Sequence, residues 1–314
     1  MAVLRKFFVL ALVLFACCTS AAAGPALVLG VDGTIGPVTA EYVRTGLERA
    51  EERGADFVVL RLDTPGGLDV AMREVIKEIL ASRIPVVGYV APSGARAASA
   101  GTYILFACHV AAMAPATTLG SATPVKLGGF PSLPTEEPDD RPGEEPREDA
   151  PASDKHKTED ENAGPAQEKS GTTTASDRKL INDAAAFIRG LAELRGRNAE
   201  WAETAVRDAA NLTAAEALEA GVVEFVAENL DDLLRQLNGR QVSVLGTEQS
   251  FETTDMSVME FEPNWRIRLL SVITDPTVAY VLLLIGFYGL IYELANPGAM
   301  IPGVTGAIAL ILAL

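Results

Sequence analysis

The sequence predicts an α/β domain with a mostly buried sheet, followed by membrane helices. Between residues 26 and 125, near-continuous apolar runs of strand length alternate with amphipathic patterns of helix length. Strands without a polar face belong to sheets covered on both sides. The membrane part rests on two apolar runs, 278–292 and 302–314, with Asn296-Pro297-Gly298 breaking the chain between them.

At the N-terminus Arg5 and Lys6 precede an apolar run over 7–16, and small residues follow at 20–23. That order is the order of a secretory signal peptide over 1–23, with cleavage after Ala23. Leu14-Phe15-Ala16-Cys17 faintly resembles a lipoprotein box, in which Phe15 fits poorly. With cleavage after Ala23, Cys108 alone of the three cysteines stays in the mature chain, so no internal disulfide is expected.

The main domain is read over 24–240. Its expected strands are 26–31, 57–62 and 85–90, bounded by turn residues, and a further one over 110–114. The helix over 38–53 carries Val38, Tyr42, Val43, Leu47 and Ala50 at helical spacing, and the helix over 68–81 carries Val70, Met72, Val75, Ile76, Ile79 and Leu80. From 126 to 176 the periodicity vanishes. About fourteen acids face seven bases between 126 and 178, roughly −7 of the chain's −16. Such a stretch buries too little apolar surface to offset its ordering entropy, and it is expected to be a disordered acidic insert. Helical pattern resumes at Asp177, with Leu180, Ala184, Phe187, Ile188, Leu191 and Leu194 as its stripe and Gly196 as its stop. Thr213 fits an N-cap, with Glu216 at the capping-box position and Gly221 at the end, before a strand over 222–226. Residues 241–276 read as a β connector and 277–314 as the membrane region. Trp265, Tyr280 and Tyr292 are candidate interface anchors. The second apolar run stops at Leu314 without a polar flank, so a longer membrane protein is expected; two buried helices of a soluble domain remain the other reading.

Composition excludes several function classes. With 42 acids against 26 bases and a pI near 4.6, the chain lacks the basic patch that nucleic-acid binding needs. Neither a Walker-type nor a Rossmann-type glycine motif occurs, and no His, Cys, Asp and Glu cluster has metal-ligand spacing. No cofactor and no metal are expected.

The chemistry points to Ala91-Pro92-Ser93-Gly94-Ala95-Arg96-Ala97-Ala98-Ser99-Ala100-Gly101. This segment follows the 85–90 strand and opens a helix over 99–107. All neighbours of Ser99 are small, a variant of the strand-turn-helix nucleophile setting. A helix N-terminus also offers free amides to a developing oxyanion. An N-cap serine in a small-residue packing site is the competing reading. Asp63-Thr64-Pro65-Gly66-Gly67 follows the neighbouring strand, and parallel strands place such loops side by side at the edge where α/β sites form. Gly66 and Gly67 can bring bare amides close to a ligand, or make a tight turn.

A serine nucleophile needs a base. His156 lies in the acidic insert. His109 lies about 15 Å along the helix that Ser99 opens, which suits a strand-edge histidine better than a catalytic one. A Ser-His-Asp triad is therefore disfavoured, and a Ser-Lys dyad is the alternative. Of about seven lysines, Lys179 alone begins an ordered amphipathic helix after the insert. It can act as base only if burial lowers its pKa toward neutrality. A solvated helix-start lysine stays open on spacing alone.

Taken together, these segments resemble the NfeD family of ClpP-class membrane serine proteases, relatives of signal peptide peptidase. The matching pieces are Leu62-Asp63-Thr64-Pro65-Gly66-Gly67, the run Gly94 to Ile104 around Ser99, Met113-Ala114-Pro115, Lys179, Gly196-Arg197-Asn198, the stretch from Leu212 to Val223, and Thr274-Asp275-Pro276. The resemblance implies a ClpP/crotonase-like fold of β-β-α units. It implies Ser99 as nucleophile, Lys179 as general base, and oxyanion donors in the Gly66–Gly67 loop, with Gly67 favoured, and at Ala100. It further implies a membrane-associated endopeptidase whose partner or substrate is a stomatin-like or flotillin-like membrane protein. The export signal places the catalytic domain outside the cytoplasm, and a homo-oligomer acting on protein or peptide substrates is expected. A non-catalytic scaffold for such a membrane complex is the second expectation. The long acidic insert before Lys179 departs from the family pattern.

Overall fold

The structure is a computed structural model and describes residues 24–125, 175–273, 276–296 and 300–313. The expected signal peptide and the acidic insert, save its last two residues, lie outside the described residues.

From the N-terminal side the elements are β1 (Ala26–Asp32), α1 (Pro37–Glu52), β2 (Phe57–Asp63), α2 (Asp69–Ala81), β3 (Val86–Val90), β4 (Arg96–Ala98), α3 (Ala100–Ala107), β5 (Val110–Met113) and β6 (Thr118–Gly120). Then come α4 (Ala175–Arg195), α5 (Ala199–Arg207), β7 (Asn211–Thr213), α6 (Ala214–Glu219), β8 (Phe225–Val226) and α7 (Leu230–Leu237). The hairpin of β9 (Gln241–Val244) and β10 (Thr247–Ser250), β11 (Val258–Phe261), α8 (Trp265–Ile273), α9 (Pro276–Ala295) and α10 (Met300–Ala313) complete the chain. Two compact units divide it: residues up to 124 with those from 181 onward, and residues 125–180.

The main sheet runs β11-β1-β2-β3-β5-β8 with every neighbouring pair parallel. The inner strands β1, β2, β3 and β5 are mostly apolar because both of their faces are covered. Leu27, Leu29 and Val31 of β1, and Val58, Leu60 and Leu62 of β2, enter the core beneath α1 to α6. The alternate residues Ala26, Val28, Phe57 and Val59 enter a second core with Leu233, Leu234 and Leu237 of α7 and Val242 and Val244 of β9. Period-2 alternation thus divides one apolar run between two cores.

A short second layer follows the main strands. Ile35 bridges to Gly67, Thr64 bridges to Ala97, and β4 pairs with β6, which pairs with β7. Main strand, short extended segment, helix: this is the β-β-α unit, and it sets the short segments at the C-terminal ends of the main strands. The connector segment is woven into the same domain, since β11 pairs with β1 in register from Ala26↔Val258 to Leu29↔Phe261.

Helix starts follow local chemistry. Asn198 caps α5 by accepting the Trp201 amide, and Thr213 and Glu216 form the expected capping box on α6. The stripe of α4 is narrower than its sequence pattern: Ala184, Ile188 and Leu191 are buried with Ala185 and Ala192, whereas Leu180 and Leu194 at its ends are exposed. The strand expected over 222–226 shrinks to two residues, because only Phe225 and Val226 find partners on β5.

Among the described residues one helix stretch, Val278–Ala295 in α9, is long and apolar enough to cross a membrane, with mean hydropathy 1.9. The shorter apolar α10 packs along it.

Candidate active site

The site begins at the C-terminal ends of β2 and β3. After β2 the chain turns through Thr64, whose hydroxyl oxygen accepts the Gly66 amide at 3.0 Å. The Ile35 amide donates to the Gly66 carbonyl at 2.8 Å and the Leu68 amide to the Ile35 carbonyl at 2.9 Å. A Cβ on Gly67 would stand 2.0 Å from the Ile35 carbonyl oxygen, so only glycine fits this approach. Gly67 is exposed, and among the described residues its amide has no hydrogen-bond acceptor.

After β3 and β4 the chain reaches Ser99 at φ 52°, ψ −117°. A non-glycine residue there carries strain of about 1–3 kcal/mol and persists only where its surroundings over-determine it. They do. The Ser99 amide donates to the Gly120 carbonyl at 2.9 Å, and the Ser99 carbonyl accepts the Thr102 amide at 2.9 Å. The fully buried Thr102 hydroxyl lies 2.9 Å from both the Ala97 and the Gly120 carbonyl oxygens. Ser99 occupies the N-cap position of α3, yet its side chain makes no capping bond. That removes the plain N-cap reading and leaves a half-buried hydroxyl without a structural duty.

The two segments meet. A Cβ built on Gly66, which sits at φ +120°, would lie 2.6 Å from Ser99 Cβ and 3.0 Å from Ser99 Oγ. Ala100 opens α3, so its amide has no intrahelical acceptor and lies at the positive end of the helix dipole. Ser99, Gly66, Gly67 and Ala100 therefore form one group. Lys179 lies in the second compact unit, where it is exposed near the start of α4.

Two other reactive groups, His109 and Cys108, are structural. His109 is 8% exposed, and its Nδ1 accepts the Val86 amide at 3.1 Å, which only an unprotonated Nδ1 can do. Burial, then the positive charges of Arg195 and Arg197, lower its pKa from 6.5 to about 3. Burial pushes the Cys108 thiol up to about 12, far from thiolate chemistry. Among the described residues no three His, Cys, Asp or Glu side chains gather as a metal site.

Two supports escaped sequence reasoning. Thr102 is a polar residue in a helix buried on every side, and that contrast was its available signal. Arg197 has a side chain only 1% exposed; it donates to the Leu105, Phe106 and Cys108 carbonyls and pairs with Glu224 at 2.9 Å. Glu224 in turn accepts the Ala111 amide. Nothing local in the sequence marks that arginine as buried.

A parallel sheet wound from β-β-α units, with a strained serine at the mouth of a buried helix, defines a ClpP-like α/β protein. Known proteins agree. The N-terminal domain of NfeD1b matches residues 26–131, and the NfeD integral membrane domain matches residues 277–314. A membrane-bound protease of Pyrococcus horikoshii, PH1510, is 34% identical over 90% of this chain and 56% of its own length. Membrane protein NfeD1b of Bacillus subtilis is 26% identical over 91% of this chain and 54% of its own. The chain thus spans about half the length of the curated relatives it matches. Among solved structures, the 1510-N membrane-bound stomatin-specific protease, as a lysine-to-alanine mutant with a substrate peptide, superposes with TM-score 0.63 at 31% identity over 81% of this chain and 99% of the other. A serine-to-alanine mutant of the same protease gives TM-score 0.61 at 30% identity, covering 77% and 100%. The chain belongs to the NfeD family.

Proposed function

We propose that the chain is a membrane-tethered serine endopeptidase with Ser99 as nucleophile and Lys179 as general base. Its catalytic domain lies on the extracytoplasmic side, and it cleaves apolar segments of membrane proteins such as stomatin-like partners. The carrying observation is the strained, uncommitted Ser99 against Gly66, beside the unbonded Gly67 amide and the α3 N-terminus. The solved relatives support the residue types, since both a serine and a lysine of that stomatin-specific protease have been replaced by alanine, the lysine mutant holding a substrate peptide.

In this mechanism the neutral Lys179 amine takes the Ser99 Oγ proton while Oγ attacks the peptide carbonyl carbon. The Gly67 and Ala100 amides hold the oxyanion. The ammonium then returns its proton to the leaving amine, giving an acyl-enzyme. Water, deprotonated by the same amine, attacks the ester carbonyl; the acid leaves and Oγ recovers its proton. Lys179 must leave water for this to work, which substrate or assembly has to bring about.

The exposure of Lys179 favours a second reading, a non-catalytic scaffold for a stomatin- or flotillin-type membrane complex. The full chain in detergent, treated with a fluorophosphonate and with apolar peptides, separates the two. An adduct on Ser99, together with cleavage lost in Ser99→Ala and Lys179→Ala, is expected. Cleavage surviving Ser99→Ala overturns the protease assignment, and a folded chain with no adduct favours the scaffold.

A further inference from the structure

We infer that α8 is an interfacial helix, docking the domain onto the surface of the bilayer that α9 enters. The inference rests on the membrane placement of α9 and not on catalysis at Ser99.

Trp265, Leu269 and Val272 are spaced i, i+4, i+7, so at 100° per residue they share one stripe of α8. They are 70%, 51% and 56% exposed. Ile267 points about 165° away from the centre of that stripe by the same geometry. It is the one buried residue of the helix and joins the main core where α8 packs on α1. One side of α8 is thus committed to the domain and the opposite side presents a large aromatic and two aliphatic side chains to solvent.

Arg266 and Arg268 border the stripe on either side. The Arg266 guanidinium lies 5.6 Å from the Trp265 ring centroid, and Arg268 pairs with Glu262. An apolar stripe carrying an aromatic residue and edged by arginines is the pattern of a helix lying in the headgroup region.

Position selects the occupant. Only two residues separate Ile273, the end of α8, from Pro276, the start of α9. Three Cα steps reach about 11 Å at most, so the last turn of α8 is held close to the mouth of the span that begins at Val278. A lipid surface covers the stripe without any further chain, and the helix then fixes the domain close to the bilayer.

The test uses the full chain in phosphatidylcholine vesicles, with or without bromine on the acyl chains. Trp201 is packed against Phe106 inside the domain, so the difference between wild type and Trp265→Phe isolates Trp265. The expected result is Trp265 emission shifted to the blue and quenched by the brominated lipid. In Leu269→Glu/Val272→Glu that quenching is lost while the chain still floats with the vesicles. Unquenched Trp265 in a chain that floats overturns the inference. A blue shift without quenching, accompanied by cross-linking between copies through this stripe, overturns it in favour of a second copy as the occupant. Flotation reads the anchoring by α9 separately, and fluorophosphonate labelling of Ser99 reads the catalytic proposal separately.

Discussion

Alanine at position 66 tests the close approach on which the candidate site rests. An ideal Cβ there lies 2.6 Å from Ser99 Cβ, and Gly66 sits at φ +120°. Carbon atoms rest at about 3.5–4.0 Å, so the loop and the serine must part by about 1 Å. A shift of about 1 Å at a reacting group costs about 10²-fold in rate, and the unfavourable φ adds about 1–3 kcal/mol of strain. Gly66→Ala should therefore slow fluorophosphonate labelling of Ser99 about 100-fold, with Tm lowered by about 2–12 °C. Intact-mass kinetics and thermal unfolding of the same sample measure both. Gly54→Ala is the control, because Gly54 also has a positive φ, +63°, but nothing lies within 4 Å of its built Cβ. It should lose stability and keep its labelling rate. A folded Gly66→Ala chain labelled at the wild-type rate would show that the close approach of Gly66 to Ser99 does not set the site.

Two further outcomes follow from buried ionisable groups. His109 titrates at about 3 when folded against 6.5 when unfolded, so unfolding takes up a proton between those values. The associated stability is present above pH 6.5 and is lost as pH falls toward 3; between pH 6.5 and 5 the loss is about 2 kcal/mol. In His109→Asn, whose side-chain oxygen can still accept the Val86 amide, urea unfolding should lack that increment; equal pH slopes would falsify the buried neutral histidine. Arg197→Met strands Glu224 and the carbonyls of Leu105, Phe106 and Cys108, and removal of one member of a buried pair costs about 3–5 kcal/mol. Denaturant unfolding should show that loss, smaller in Arg197→Met/Glu224→Leu than in Arg197→Met; a single mutant as stable as wild type contradicts the cap.

The legible parts of the fold were those with their own local signal. The four long strands announce themselves because both faces are buried, and α6 because Thr213 and Glu216 sit at capping-box spacing. The second layer was silent. Arg96–Ala98, Thr118–Gly120 and Asn211–Thr213 are three residues each, too short for any period, and they exist through pairing across the chain. β11 falls inside the expected β connector, but its place in the main sheet had no local signal, since Val258–Phe261 joins that sheet only by meeting β1. At the site, residue types were readable and conformation was not. Small neighbours marked Ser99 and paired glycines marked the Gly66–Gly67 turn, whereas the φ of 52° at Ser99 depends on Gly120, a residue 21 positions away that belongs to another strand.

That dependence explains how a strained serine persists at the start of so short a helix. Relaxing Ser99 into the helical region would break its amide bond to Gly120 and displace Thr102, whose hydroxyl reaches the Ala97 and Gly120 carbonyls on two paired strands. The other end of α3 is fixed as firmly: Arg197 covers the Leu105 and Phe106 carbonyls and Arg195 the Ala107 carbonyl. Cations at a helix C-terminus satisfy its exposed carbonyls and its negative dipole end. Every residue of the eight between is buried, so the helix has no free face along which to slide. The N-terminus of α3 is different: the Ala100 amide there has no intrahelical acceptor and stands beside the Ser99 hydroxyl. The energy that holds the bent backbone is thus supplied by β4, β6 and the arginine cap.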